Sequence, residues 1–410
     1  MRFNTQLLHG VAGHDERTGA TNTPIFQSSA FKYTTAEELE ETFKGNKFGF
    51  LYSRINNPTA DAFERKISDL EKGVGSIACA SGMAAITLAI LNLVKAGEEI
   101  VTGGGLFGGT YSLFKDLEDY DIKAKHAKDN NIESYEALIN ERTRAIFIET
   151  IGNPKLDVPD IEKLSKLAHK NEIPLIVDNT ITTPYLVKPF ELGADIVIHS
   201  SSKYINGSGN SISGIIVDSG KMKWNYEKFS TLKNFKKYGK FVYLAKLRKG
   251  IFRDFGACLS PFNAYLNILG LETLGLRMER ICDNTLKLVR FLKKNEKVTA
   301  LNYTGLEDNP YHEISKNQFS NKYGGVFTLR LGTKEKAFKL INSLKYATNL
   351  ANIGDTRTLV IHPKSTIYAF NDEKEIDSAG VFDDLVRVSV GIEDIEDLIE
   401  DFKQALEKIS

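Results

Sequence analysis

The chain has 410 residues, 42% apolar and 26% charged, with 53 basic residues balanced by 53 acidic ones. That composition supports a large core in two or three domains and leaves no global field to attract nucleic acid or a membrane surface. Three scattered cysteines exclude a disulfide framework, seven histidines without close spacing suggest no metal site, and no apolar run reaches the roughly 18 residues that span a bilayer.

The amino-terminal MRFNTQLLHG lacks the apolar stretch of a secretory leader, so cytoplasmic localisation and small-molecule partners are expected. Residues 1–60 are rich in Thr, Asn, Ser and Gly and weakly periodic, which predicts an extended arm with one short helix over 35–43. Because the arm precedes the core, it could reach a neighbouring subunit. A domain over 61–260 follows: a helix at 60–71, the apolar run 76–79, and a helix opening at Ser81-Gly82-Met83. Strands are then predicted at 99–102, 122–126, 144–148, 174–177, 195–199 and 213–217, with a clear helix over 161–171. This alternation indicates an α/β fold with a mostly parallel sheet covered on both faces. Residues 261–410 read as a smaller α+β domain with a long helical stretch after Pro261, strands at 325–331 and 386–390, and a last helix over 395–409.

In open parallel sheets, ligands sit beyond the carboxyl ends of the strands. The strand at 195–199 runs into Ser200, Ser202 and Lys203. Two hydroxyls two positions apart would face one way on an extended backbone and suit an anion, and the lysine could form an imine with an aldehyde if its pKa were depressed. Asp178 follows an apolar strand, where a carboxylate can keep a ring nitrogen protonated and make the ring an electron sink. Gly82 and Met83 open a helix whose free amides suit a phosphate. Arg54, close to Tyr52 in the arm, can clamp a phosphate bidentately. Each has an ordinary alternative: a solvated lysine, an Asx turn, a capped helix, a solvated arginine. A further run, Gly103 to Gly108, fits G-x-G-x-x-G with Asp129 about twenty residues on, so a nicotinamide-dependent oxidoreductase is also open. That reading would leave Lys203 and Asp178 unexplained.

Taken together, Y-S-R-x-x-N-P-T at 52–59, A-S-G-M-A-A at 80–85, V-D-N-T at 177–180 and H-S-x-S-K-Y at 199–204 resemble the Cys/Met-metabolism family of pyridoxal 5'-phosphate (PLP) enzymes over nearly the whole chain. The resemblance implies a PLP-dependent transferase of fold type I, assembled as a homotetramer with active sites shared between subunits. It implies that Lys203 carries the cofactor and shuttles protons, that Asp178 pairs with the ring nitrogen, and that Ser200, Ser202, Gly82 and Met83 hold the phosphate. Tyr52 and Arg54 would reach the phosphate in a partner subunit, Phe107 would stack on the ring, and Asn153 would lie near its phenolic oxygen. Arg387 and Asn352 would bind the substrate. Stretches 217–224, 253–264 and 351–355 are most similar to the branch that performs γ-replacement on O-acetylhomoserine with sulfide or a small thiol. Cystathionine γ-synthases and the methionine and cystathionine γ-lyases share the cofactor and are the alternatives. Against the family pattern, Phe107 stands where Tyr is usual, Ser208 where His is usual, and Tyr368 where His is usual.

Overall fold

The computed structural model describes residues 1–15 and 18–409. Seven strands, β1 (Gly75–Cys79), β2 (Glu99–Thr102), β3 (Lys123–His126), β4 (Thr143–Glu149), β5 (Leu175–Asp178), β6 (Ile196–His199) and β7 (Gly214–Asp218), form one sheet in the order β1-β7-β6-β5-β4-β2-β3. Every neighbouring pair from β6 to β3 is parallel, and β7 alone runs against its neighbours β1 and β6. The inner strands β4 to β7 are apolar on both faces because helices cover both sides, which erases the two-residue alternation of a half-exposed strand. One cover helix, Ile161–Lys170, buries Ile161, Leu164, Leu167 and Ala168 at helical spacing and is capped by the Asp160 side chain.

A second sheet is built from β8 (Ala300–Asn302), β9 (Val326–Arg330), β10 (Thr348–Asn349), β11 (Leu359–Ile361) and β12 (Leu385–Ser389), in the order β10-β11-β12-β9-β8. Only β9 and β12 were anticipated. The other three are two or three residues long, too short to show any periodicity. Helices Lys334–Ser343 and Ile395–Glu407 pack against this sheet around a separate core. The helix Leu274–Leu292 joins the two parts: Met278 and Ile281 belong to the first core, Leu288, Val289 and Leu292 to the second.

The arm is more structured than expected. Besides the helix Ala36–Lys44, a short helix Phe3–His9 buries Leu7 in the first core. Among the described residues, no helix is long and apolar enough to cross a membrane.

Candidate active site

The topology sets the carboxyl ends of β4, β5 and β6 side by side. Glu149 and Asp178 are directly paired at that edge, and His199 ends the next strand. The helix Gly82–Leu91 begins close by. Ser81 caps it by accepting from Ala84 N–H at 3.0 Å, while the first amides of any helix have no acceptor within it. A Cβ added to Gly82 would lie 2.6 Å from the Ser200 Cβ, so only glycine lets this helix start meet the segment after β6 so closely.

The expectation that residues 200–202 continue as extended strand is overturned. β6 stops at His199 and residues 201–206 form successive turns, with Lys203 N–H donating to Ser200 C=O at 3.1 Å and Asn206 N–H to Ser201 C=O at 3.0 Å. The Ser202 hydroxyl is tied to the Ser213 backbone on both sides, at 3.1 and 2.8 Å, which fixes the turn to the start of β7.

A cavity of about 260 Å³ opens at this edge. Gly82, Met83, Phe107, Asn153, Asp178, Ser200, Ser202, Lys203, Asn352 and Arg387 all line it. The C-terminal part of the chain thus delivers Asn352 and Arg387 to a site otherwise built on the first sheet. Tyr52 and Arg54 do not reach it. Both are exposed, with the Arg54 guanidinium 5.6 Å from the Tyr52 ring centre and donating to the Arg253 carbonyl at 2.5 Å.

Charge in the cavity is arranged by burial. The Lys203 amine donates to Asn352 Oδ1 at 2.5 Å, and desolvation, aided by the nearby Arg387 cation, lowers its pKa to about 8. Arg387 is buried, and its side chain donates to two neutral acceptors, Asn153 Oδ1 at 3.1 Å and the Asn352 carbonyl at 3.2 Å. Burial pulls its pKa down to about 10. A buried cation held by neutral groups is ready for an anion. Asp178 is pushed up by burial, opposed by hydrogen bonds from Thr180 and by His199.

Three features escaped the sequence reading. Glu149 lines the cavity and accepts the Phe107 N–H at 2.7 Å. The Thr180 hydroxyl accepts Ser200 N–H at 2.8 Å, tying the segment after β5 to the one after β6. Behind them His199 Nε2 and Glu71 Oε1 meet at 2.7 Å in a fully buried pair. The strand-end rule that found Asp178 also points to Glu149, once β4 is known to end there.

The Gly103 to Gly108 run has a packing explanation. A Cβ on Gly105 would fall 1.9 Å from Asp157 Oδ1, and one on Gly103 2.8 Å from the Tyr135 hydroxyl. These glycines let the loop after β2 lie against its neighbours.

The family model for Cys/Met metabolism PLP-dependent enzymes matches residues 4–407. The chain belongs to this family. It is 41% identical to the O-acetyl-L-homoserine sulfhydrylase of Corynebacterium glutamicum over 98% of this chain and 96% of that protein. It is also 41% identical to the homocysteine synthase of Schizosaccharomyces pombe, over 99% and 98% of the two chains. A solved O-acetylhomoserine (thiol)-lyase from Campylobacter jejuni carrying N'-pyridoxyl-lysine-5'-monophosphate superposes with a TM-score of 0.94 at 32% identity, covering 100% of both chains. A cystathionine gamma-lyase from Lactobacillus plantarum gives 0.88 at 31% identity, over 100% and 99%. The fold is therefore that of the fold type I PLP enzymes, and the chain is a PLP-dependent enzyme.

The cavity fits that cofactor. Its lining offers an amine of lowered pKa suited to an aldehyde, a carboxyl suited to a ring nitrogen, and hydroxyls beside a helix start suited to a phosphate.

Proposed function

We propose that this member of the family catalyses γ-replacement on O-acetylhomoserine, exchanging acetate for sulfide (or a small thiol) to give homocysteine (or a thioether). The observation that carries the reading is the meeting, in one cavity, of the Lys203 amine, the Asp178 carboxyl and the anion-seeking Arg387. The sulfhydrylase and homocysteine synthase names of relatives that match over nearly full length select the reaction.

Bound PLP supplies the electron sink for negative charge developing at the substrate Cα. Arg387 takes the α-carboxylate in the bidentate geometry that a guanidinium offers, with Asn352 beside it. Lys203 removes the Cα proton and then moves a proton at Cβ. Asp178 keeps the ring nitrogen protonated. Ser200, Ser202 and the amides of Gly82 and Met83 hold the phosphate, Phe107 covers the ring, and Asn153 serves its phenolic oxygen. At Cγ the C–O bond breaks, acetate departs, and a C–S bond forms with no net oxidation.

Residues 61–260 act as the cofactor domain and 261–410 as the C-terminal domain that brings Asn352 and Arg387 to the cavity. We further propose a cytoplasmic homotetramer in which Tyr52 and Arg54 serve a partner subunit's cofactor. Their exposure outside their own cavity supports this. Three free thiols suit a reducing compartment.

A γ-lyase is the second reading, favoured by the likeness to the Lactobacillus plantarum structure. Purified holoenzyme supplied with O-acetylhomoserine and sulfide separates the two. Homocysteine and acetate formed in equal amounts are expected. Release of α-ketobutyrate as the main product, or turnover only with cysteine to cystathionine, would overturn the sulfhydrylase assignment.

A further inference from the structure

Glu149 is the cavity residue with the least obvious place in the reaction just described. It ends β4, paired in the parallel ladder with Asp178, so the two carboxyl groups share one edge of the sheet. It is 9% exposed and accepts the Phe107 backbone N–H at 2.7 Å. The titratable groups facing it are Asp178 on β5, Asp157 in the loop after β4, and Tyr368 from the C-terminal part. Among the described residues, no lysine or arginine comes within ion-pair distance of it. Two carboxylates side by side in a desolvated site cannot both ionise cheaply, and the one without a cationic partner keeps its proton.

We propose that Glu149 is a positioning residue that works as a neutral carboxylic acid, fixing the Phe107 backbone at the cofactor cavity and leaving the negative charge to Asp178. The Phe107 N–H is held by one Glu149 oxygen, and this sets the loop from which the Phe107 ring lines the cavity. Burial, followed by Asp178, raises the Glu149 pKa well above the ordinary carboxylate range. A charged Glu149 would compete with Asp178 for the ring proton and place an uncompensated anion beside it. The inference rests on Asp178 facing the ring nitrogen, and the test separates the two.

Apoenzyme prepared from the holoenzyme is titrated with PLP, and the pH midpoint of the bound cofactor's absorbance is recorded for wild type, Glu149→Gln, Glu149→Ala and Asp178→Asn. Gln reproduces the acceptor and the donor of a neutral acid. Glu149→Gln should therefore hold the midpoint within about 0.3 units of wild type, because no charge is removed. Glu149→Ala leaves the Phe107 N–H without its acceptor and should weaken PLP binding by about 5- to 150-fold. A downward shift of about one unit or more in Glu149→Gln would show that a charge had been lost and would overturn the proposal. So would unchanged PLP affinity in Glu149→Ala. If Glu149→Ala does not fold, the Glu149→Gln midpoint decides alone. Asp178→Asn with the wild-type spectrum and affinity would instead sink the Asp178 assignment.

Discussion

At the scale of single residues, the proposed function depends on how burial shifts two cations. Lys203 must be neutral to attack the cofactor aldehyde, and an unperturbed lysine titrates near 10.4. With its pKa lowered to about 8, the amine gains its neutral form as pH rises through that value. The rate of PLP capture by apoenzyme, followed by stopped-flow absorbance, should therefore rise with a midpoint near pH 8. A rate still climbing steeply at pH 10 would mean the amine is not desolvated. Arg387 faces neutral partners, so its charge is available for the substrate carboxylate. Arg387→Gln should lower kcat/KM by about 10- to 150-fold, the loss of a charge-assisted hydrogen bond, with the PLP absorbance band intact. Asp178 was legible in the sequence because it directly follows an apolar run, and Lys203 because it lies four residues past one, among hydroxyls. Glu149 also directly follows a predicted strand, but its partnership with Asp178 depends on strand register, which chain order does not reveal. Ser200 and Ser202 were found, but on a mistaken extended backbone. The hydroxyl that holds the tight turn there, Ser202, bonds eleven positions away at Ser213.

At the scale of elements, the helix Gly82–Leu91 and the turns around Lys203 form a single seat, and Gly82 sets their separation. Gly82→Ala would press a Cβ to 2.6 Å from the Ser200 Cβ. Overpacking of about 1–3 kcal/mol is expected, raising the PLP dissociation constant by roughly 5- to 150-fold. Affinity for pyridoxal without its phosphate should change less, because the loss falls on the phosphate seat. Equal losses for both ligands would place the damage elsewhere. The first sheet was readable because most of its strands are short apolar runs. The second was half hidden because β8 and β11 gain their identity only from β9 and β12 beside them, and β10 only from β11.

At the scale of the whole molecule, the sheet separates catalysis from stability. Asp218 ends β7 opposite Ile196, at the edge away from the cavity, and burial raises its pKa to about 7. The folded form holds a proton there that the unfolded chain, titrating near 3.8, does not. Its contribution to stability is therefore complete below about pH 4 and is lost as pH rises through about 7, up to about 4 kcal/mol by linkage. Melting temperatures of Asp218→Asn minus wild type should grow more positive from pH 5 to pH 8. A difference that stays flat would show that Asp218 is already ionised at pH 5.

The central claim is that Lys203, and no other amine, carries the cofactor. Lys246 is the informative rival. Burial lowers its pKa to about 8 as well, yet it is held by Asn92 and does not line the cavity. The holoenzyme should absorb at about 420 nm and lose that band on borohydride reduction. Peptide mass spectrometry should then place the pyridoxyl-phosphate mass on the Lys203 peptide, and Lys203→Ala should retain neither band nor label. Label on Lys246 or on any other lysine would contradict the account.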